Sequence, residues 1–348
     1  MTTVTSLVAA PVTGNSDANG LNGAGVVVGT EDDMFPFLWT PQQPNGATGS
    51  ATRLPVLFTG SAPGSGEAMS VNANGDACGM SEGLDANGNS VQRAVRWSGG
   101  VVQDLGTLIP DPFNPGNFLG NSRAVDINDA GQVVGSSDTA GGSTHAFLFD
   151  PALGIMRDLG SLIVGPPDQS RATSINNNGD IVGVSAALDP SGGQVERAFL
   201  LPAGSQSMTD LGTLIPDPAN PGGFLGNSNA FGINDSATII GTSETTGTTP
   251  SGAPLTGVTR FFSAGSPVPL LPVHSDGFDV GPNNEVVGGF DMPTRGFSFH
   301  SSTGMVDLTT LASTSGMQIT FGNSVNASGQ ITASAEVSGS SVGVLITP

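Results

Sequence analysis

Residues Ala124 to Leu162 read AVDINDAGQVVGSSDTAGGSTHAFLFDPALGIMRDLGSL, and every feature of this stretch recurs elsewhere in the chain in the same order. Ala124 to Asn128 and Gln132 to Ser136 are alternating apolar runs separated by Asp129-Ala130-Gly131, a short glycine-containing connection of the kind that closes a hairpin. The matching turns elsewhere include Asn74-Gly75 and Asn178-Gly179, the dipeptide that accepts positive φ most readily. A third run, His145 to Phe149, ends at Asp150-Pro151, and a fourth, Arg157 to Leu162, follows the turn at Gly154. Four strands of about five residues in about 50 predict a small antiparallel sheet with no helix.

The unit recurs seven times. Its first strands begin at Ala18, Ala68, Ala124, Ala172, Ala230, Gly277 and Gly322, about 51 residues apart on average, and four strands at that spacing mark propeller blades. The fifth residue is Asn22, Asn72, Asn128, Asn176, Asn234, Gly281 and Asn326, so only the sixth copy departs. The third strand recurs at 36–39, 93–97, 145–148, 197–200, 260–262 and 295–297. The fourth recurs as Asp104-Leu105-Gly106-Thr107-Leu108 and its copies at 158–162, 210–214 and 307–311. The last copy ends after its third strand, and Thr3 to Leu7 matches the missing fourth. The expectation is one all-β domain over residues 1–348, a seven-bladed β-propeller of four-stranded antiparallel blades whose ring is closed by the N-terminal strand. Closure removes sheet edges that would otherwise invite aggregation.

Composition agrees with a turn-rich chain that still has a core: 52 Gly and 25 Pro stand against 37% hydrophobic residues. Nine arginines, no lysine and 29 acidic residues give a formal net charge of −20. A field of that sign disfavours nucleic acid and anionic membranes. The single cysteine, Cys78, excludes an intrachain disulfide and occupies a strand position filled by Val134 in the reference unit, so a buried, inert thiol is expected. No run approaches the roughly 18 apolar residues of a membrane span, so no membrane insertion is expected. The N-terminus lacks a basic region and a long apolar core, which reads as no signal peptide in this chain. A monomer is expected.

Within the first strand, the third-position column is small or polar: Gly20, Ser70, Asp126, Ser174, Gly232, Asp279 and Ser324. Residues two apart share a sheet face, so the face of the innermost strands toward the axis is nearly bare, as close packing there requires, while the fourth column, from Leu21 to Val325, faces the core between sheets. Asp126 and Asp279 are channel candidates, read either as a carboxylate pair for metal or acid/base chemistry or as acceptors for neighbouring backbone amides.

In an antiparallel meander, the second-to-third loops and the connections between blades emerge on one face, and the long, variable segments are all of these two kinds. Two are near-copies, Ile109 to Ser122 and Ile215 to Ser228. They offer Asp111, Asn117, Phe118 and Asn121, then Asp217, Asn220, Phe224 and Asn227. Amides beside an aromatic suit a glycan, carboxylate with amide oxygens suits Ca²⁺, and proline-rich rim loops need bind nothing. Arg93, Arg197, Arg260 and Arg295, with His145, precede third strands and are assigned to the same face, as an anion site or as local ion pairs.

INDAGQVVGSS, HAFLFDP and RDLGSL resemble the bacterial HAF repeats, named after their His-Ala-Phe triplet. Only His145 supplies the histidine here, arginine standing in the other copies. The resemblance implies export and an extracellular setting. With three His, no Tyr and no Lys, few general bases or nucleophiles are present, and no P-loop, GxSxG, HExxH or EF-hand loop is found. The expected function is a binding or adhesive, lectin-like propeller that takes a glycan or protein on its long-loop face, without a cofactor unless Ca²⁺ is held there. The alternatives are a structural surface repeat and a hydrolase or lyase at the channel.

Overall fold

A computed structural model describes residues 3–7, 15–57, 64–85, 87–248, 252–273, 275–290, 294–311 and 317–348. It contains seven four-stranded antiparallel sheets, six of them in simple meander order, arranged as the blades of a propeller. Blade 3 is typical: Ser122–Ile127, Val133–Asp138, Thr144–Asp150 and Ile155–Asp158. The only helical turn among the described residues is a 3-10 segment, Leu308–Thr310.

Blade 7 takes its outer strand from the other end of the chain. Thr3–Ser6 lies antiparallel to Ser340–Thr347, with Thr3 opposite Thr347 and Ser6 opposite Val344. The ring is closed as the repeat arithmetic requires.

The core lies between blades. Val133 packs in a cluster with Cys78, Ala94 and Leu105 of the preceding blade, while its neighbour Val134 packs with Ala172, Ile175 and Phe199 of the following one. Successive residues of a strand thus serve opposite interfaces, so a second strand of the Val-Val-Gly type is apolar on both faces. Each fully buried Val or Ile contributes about 1.5–3 kcal/mol. Cys78 is one of these packing residues, and its burial pushes the thiol well above its ordinary pKa.

The first strand does not alternate strictly. In all seven blades a β-bulge interrupts it between the first and third repeat positions, for example between Ala124 and Asp126. The bulged residues, Asn19, Met69, Val125, Thr173, Phe231, Phe278 and Asn323, line the central channel. The channel wall is therefore not bare, because the extra residue restores side chains that strict alternation would turn away. The bulge also brings the carbonyl of Arg123 against Gly135, where any Cβ would collide with it. The same collision occurs at Gly29, Gly79, Gly183, Gly241 and Gly288, which explains the glycine of the second strand.

Candidate functional site

The long-loop face is built on a pair of columns. A residue in the first half of the third strand pairs with an aspartate in the outer strand: Arg93 with Asp104, His145 with Asp158, Arg197 with Asp210 and Arg295 with Asp307. Each aspartate also accepts a backbone N–H two residues on, from Gly106, Gly160, Gly212 and Thr309. The Asp-Leu-Gly-Thr-Leu motif is thus a cap that turns the chain into the next blade. Blade 1 inverts the pair, with Arg53 stacked 4.0 Å over Phe35.

Arg93 and Arg197 are buried, at 2% and 1% exposure. The Arg93 guanidinium donates to Gly120 O at 2.5 Å and Phe118 O at 2.8 Å, and its Nε lies 3.6 Å from Asp104. Arg197 repeats the arrangement, donating to the carbonyls of Gly226 and Phe224. Burial lowers the pKa of both arginines and raises those of Asp104 and Asp210, so the charges are held at a desolvation cost that the carbonyl bonds offset. These arginines clamp the twin loops from beneath and present no guanidinium to solvent. In blade 3, His145 Nδ1–H donates to the Asp158 carboxylate at 2.9 Å, and Nε2 lies 3.6 Å from Asp168. Arg295 pairs with Asp307 at 2.8 Å and stacks on Phe290.

Arg260 does not belong to this column. Strand pairing places Arg260 opposite Ile240, as Arg96 is opposite Cys78, whereas Gly257 takes the Arg93 position opposite Ser243. The Arg-Phe pair at 260–261 lies three residues beyond the Arg93 position: Gly257-Val258-Thr259-Arg260-Phe261 corresponds to Arg93-Ala94-Val95-Arg96-Trp97. Arg260 therefore points to the short-turn end of its blade, near Thr238.

The twin loops hold themselves together. Asp111 is buried and accepts from Phe113 N and Asn114 Nδ2, both at 2.8 Å, and Asp217 does the same with Ala219 N and Asn220 Nδ2. These bonds, led by the asparagine amide, keep both carboxyls below the ordinary carboxylate range. Asn121 bridges Gln92 N to Asp138, and Asn227 bridges Glu196 N to Glu244. Asn117 is exposed on the first loop. The loop aromatics Phe118 and Phe224 are half-buried and lie against Gly106 and Gly212. The exposed loop aromatic is Phe113, 88% exposed, and the repeat gives no mark of it because Ala219 takes its place in the second loop. Among the described residues no three His, Cys, Asp or Glu side chains converge in a metal site.

Asp126 and Asp279 lie in the channel wall, each engaged by its neighbours. Asp126 accepts from Ser70 and Ser174 hydroxyls at 2.7 and 2.9 Å and from Ile127 and Ile175 amides at 2.9 Å, tying three blades together. Asp279 accepts from Ser324 Oγ and from the amides of Val280 and Val325. Burial raises both pKa values despite these bonds. The repeated asparagine forms a second ring: each Nδ2 donates to the backbone carbonyl of the equivalent residue one blade on, from Asn22 to Asn72 at 2.9 Å through to Asn326 back to Asn22 at 3.1 Å. Only Gly281 breaks the circuit.

Solved structures are similar to this chain, and the first of these shares its propeller fold. A puromycin hydrolase mutant complexed with PGG is 14% identical, with a TM-score of 0.50 over 94% of this chain and 52% of that one. TolB from Acinetobacter baumannii is 13% identical, with a TM-score of 0.40 over 72% of this chain and 55% of that one. The chain spans little more than half the length of these two structures. No curated protein matches it. The resemblance to HAF repeats is overturned, because the family model that matches is a different one, and the extracellular setting drawn from that resemblance has no separate support. Residues 37–219, just over half of the sequence, match the model described as "Protein of unknown function (DUF3466)", and the chain belongs to that family.

Proposed function

We propose that this propeller is a binding protein whose long-loop face docks a protein partner with an apolar anchor and a basic rim. The observation that supports it is the run of exposed apolar side chains Met34, Leu84, Phe113, Val164 and Leu188, which lie on that face along blades 1 to 4. Leu84 and Leu188 end matching, extended second strands, so the same anchor is offered twice. The clamped loops are rigid before binding, which lowers the entropy lost on docking. Glu82, Asp85, Asp138, Asp168 and Asp189 surround them in a chain of net charge −20, which favours a basic partner. A glycan finds fewer free polar groups there, since Asp111, Asp217, Asn121 and Asn227 spend theirs within the loops. Catalysis at the channel is disfavoured by the engagement of Asp126 and Asp279.

The test screens amphipathic peptides, with Arg and Lys flanking Leu or Phe, beside a glycan array with and without Ca²⁺. The native chain is expected to bind the peptides, more weakly as salt rises, and L84S/F113S/L188S to lose them while melting normally. Glycan binding that survives this triple change would replace the protein partner by a sugar. Turnover of an array substrate abolished by D126N would favour the hydrolase reading.

A further inference from the structure

The geometry points to a second binding site, separate from the long-loop face: the central channel is built to hold a small organic ammonium ion. The channel encloses about 620 Å³ between the bulge ring and the short-turn mouth, a volume suited to one small ligand. Its wall contains four carboxylates, Asp126, Asp129, Asp235 and Asp279, and no Arg, Lys or His.

Fixed acceptors make this charge directional. Asp126 and Asp279 are locked by serine hydroxyls and backbone amides, and Asp129 and Asp235 accept amide hydrogens from Ala73 and Asn177 of the neighbouring blades. Asn19 and Asn323 spend their Nδ2 donors on the carbonyls of Ala68 and Ala18, at 2.9 Å each, leaving the amide oxygens as the atoms not used by the blade contact. The Asn19 and Asn323 oxygens can accept from a ligand, while the engaged carboxyls of Asp126 and Asp279 contribute negative charge rather than further hydrogen bonds, and both favour a cation.

The other part of the bulge ring is apolar. Phe231 and Phe278 meet edge to face at 6.0 Å, and Phe278 continues to Phe321 at 5.6 Å. Met69 and Val125 stand in blades 2 and 3. An aromatic face attracts a cation while its body buries alkyl groups. Arg123 lies beside this ring, its Nη2 3.4 Å from Met69 Sδ, and it is paired with Glu67 at 2.8 Å. Arg171, two residues before Thr173 in its strand, pairs with Glu196. Asp17 and Asp276 occupy the same tier in blades 1 and 6, so the channel stays negative. An anion would meet only acceptors here, a neutral apolar molecule would gain nothing from four carboxylates, and a hydrated inorganic cation would gain little from phenyl rings.

The probe is choline, titrated calorimetrically at fixed ionic strength against its uncharged isostere 3,3-dimethylbutan-1-ol and the anion pivalate. Choline should bind once per chain, the isostere about tenfold or more weaker, and pivalate not at all. V125K places a cation in the channel without removing any blade hydrogen bond and should abolish choline binding with an unchanged melt. F278L should weaken it, and L84S/F113S/L188S should leave it intact, which separates this site from the docking face. Absence of choline binding, equal affinity for the isostere, or binding undiminished in V125K would overturn the proposal, the last by assigning the attraction to the acidic surface.

Discussion

Asn176 acts in two directions at once. Its Oδ1 accepts from Asp180 N, which closes the turn, and its Nδ2 donates to Asn234 O in the next blade at 3.1 Å. N176A should therefore cost about 1–3 kcal/mol, since the Asp180 amide loses its partner, while the Asn234 carbonyl loses the cross-blade bond and keeps the one from Ala237 N. A urea titration checks this, and a loss below about 0.5 kcal/mol would show that water replaces the amide. The asparagine column was plain in the sequence, but its purpose was not. Periodicity reveals that a residue recurs, whereas its partner lies one blade away and about 50 residues along the chain. Asp126 shows the same limit: its channel position was legible, but the serines that fix it belong to the blades on either side.

At the scale of the element, the twin loops were visible as near-copies, while what holds them was hidden. Burial of Arg93 and Arg197 has no sequence mark, because arginine before a strand usually lies in solvent. R197M should free the carbonyls of Phe224 and Gly226 and cost about 1–3 kcal/mol, less than breaking a fully buried pair because Asp210 remains open to water. The loss should be local, seen as faster hydrogen exchange and proteolysis over 215–228. The loop carboxylates add a pH dependence. Asp111 and Asp217 have folded-state pKa values below the ordinary 3.8, so their stabilisation is present above 3.8 and is lost as pH falls through the depressed values. Exchange at the Phe113 and Ala219 amides should accelerate on acidification below that point, and N114A should move the onset upward. Exchange unaffected by acid would show that the clamp alone orders the loops. The misplacement of Arg260 belongs to this scale too: an Arg-Phe pair was matched to the wrong Arg of a strand containing two, and the Trp97 to Phe261 correspondence would have set the register.

For the whole molecule, fold and closure were legible because they depend on counting: seven hairpin signals, a fourth strand absent from the last copy and one matching it at the other end. The bulge was not, since every argument from alternation assumes a regular strand. Closure carries a consequence that counting alone does not. Thr3–Ser6 is held by one strand, Ser340–Thr347, and Val4 packs against the core cluster of Ile331, Val344 and Ile346. Removing residues 1–10 would leave Ser340–Thr347 as an exposed edge with unpaired amides and carbonyls, and open one side of that cluster. The ring would still be joined by the asparagine contact from Asn326 to Asn22, so a folded but weakened molecule is expected. Its melting temperature should fall by several degrees and aggregation should rise with concentration, because the bared strand is a template for another chain. Adding the peptide of residues 1–10 in trans should restore the melt, as strand addition supplies the same pairing. An unchanged melt and a monodisperse product after deletion would mean that blade 7 is stable with three strands and that the terminal strand does not secure the ring.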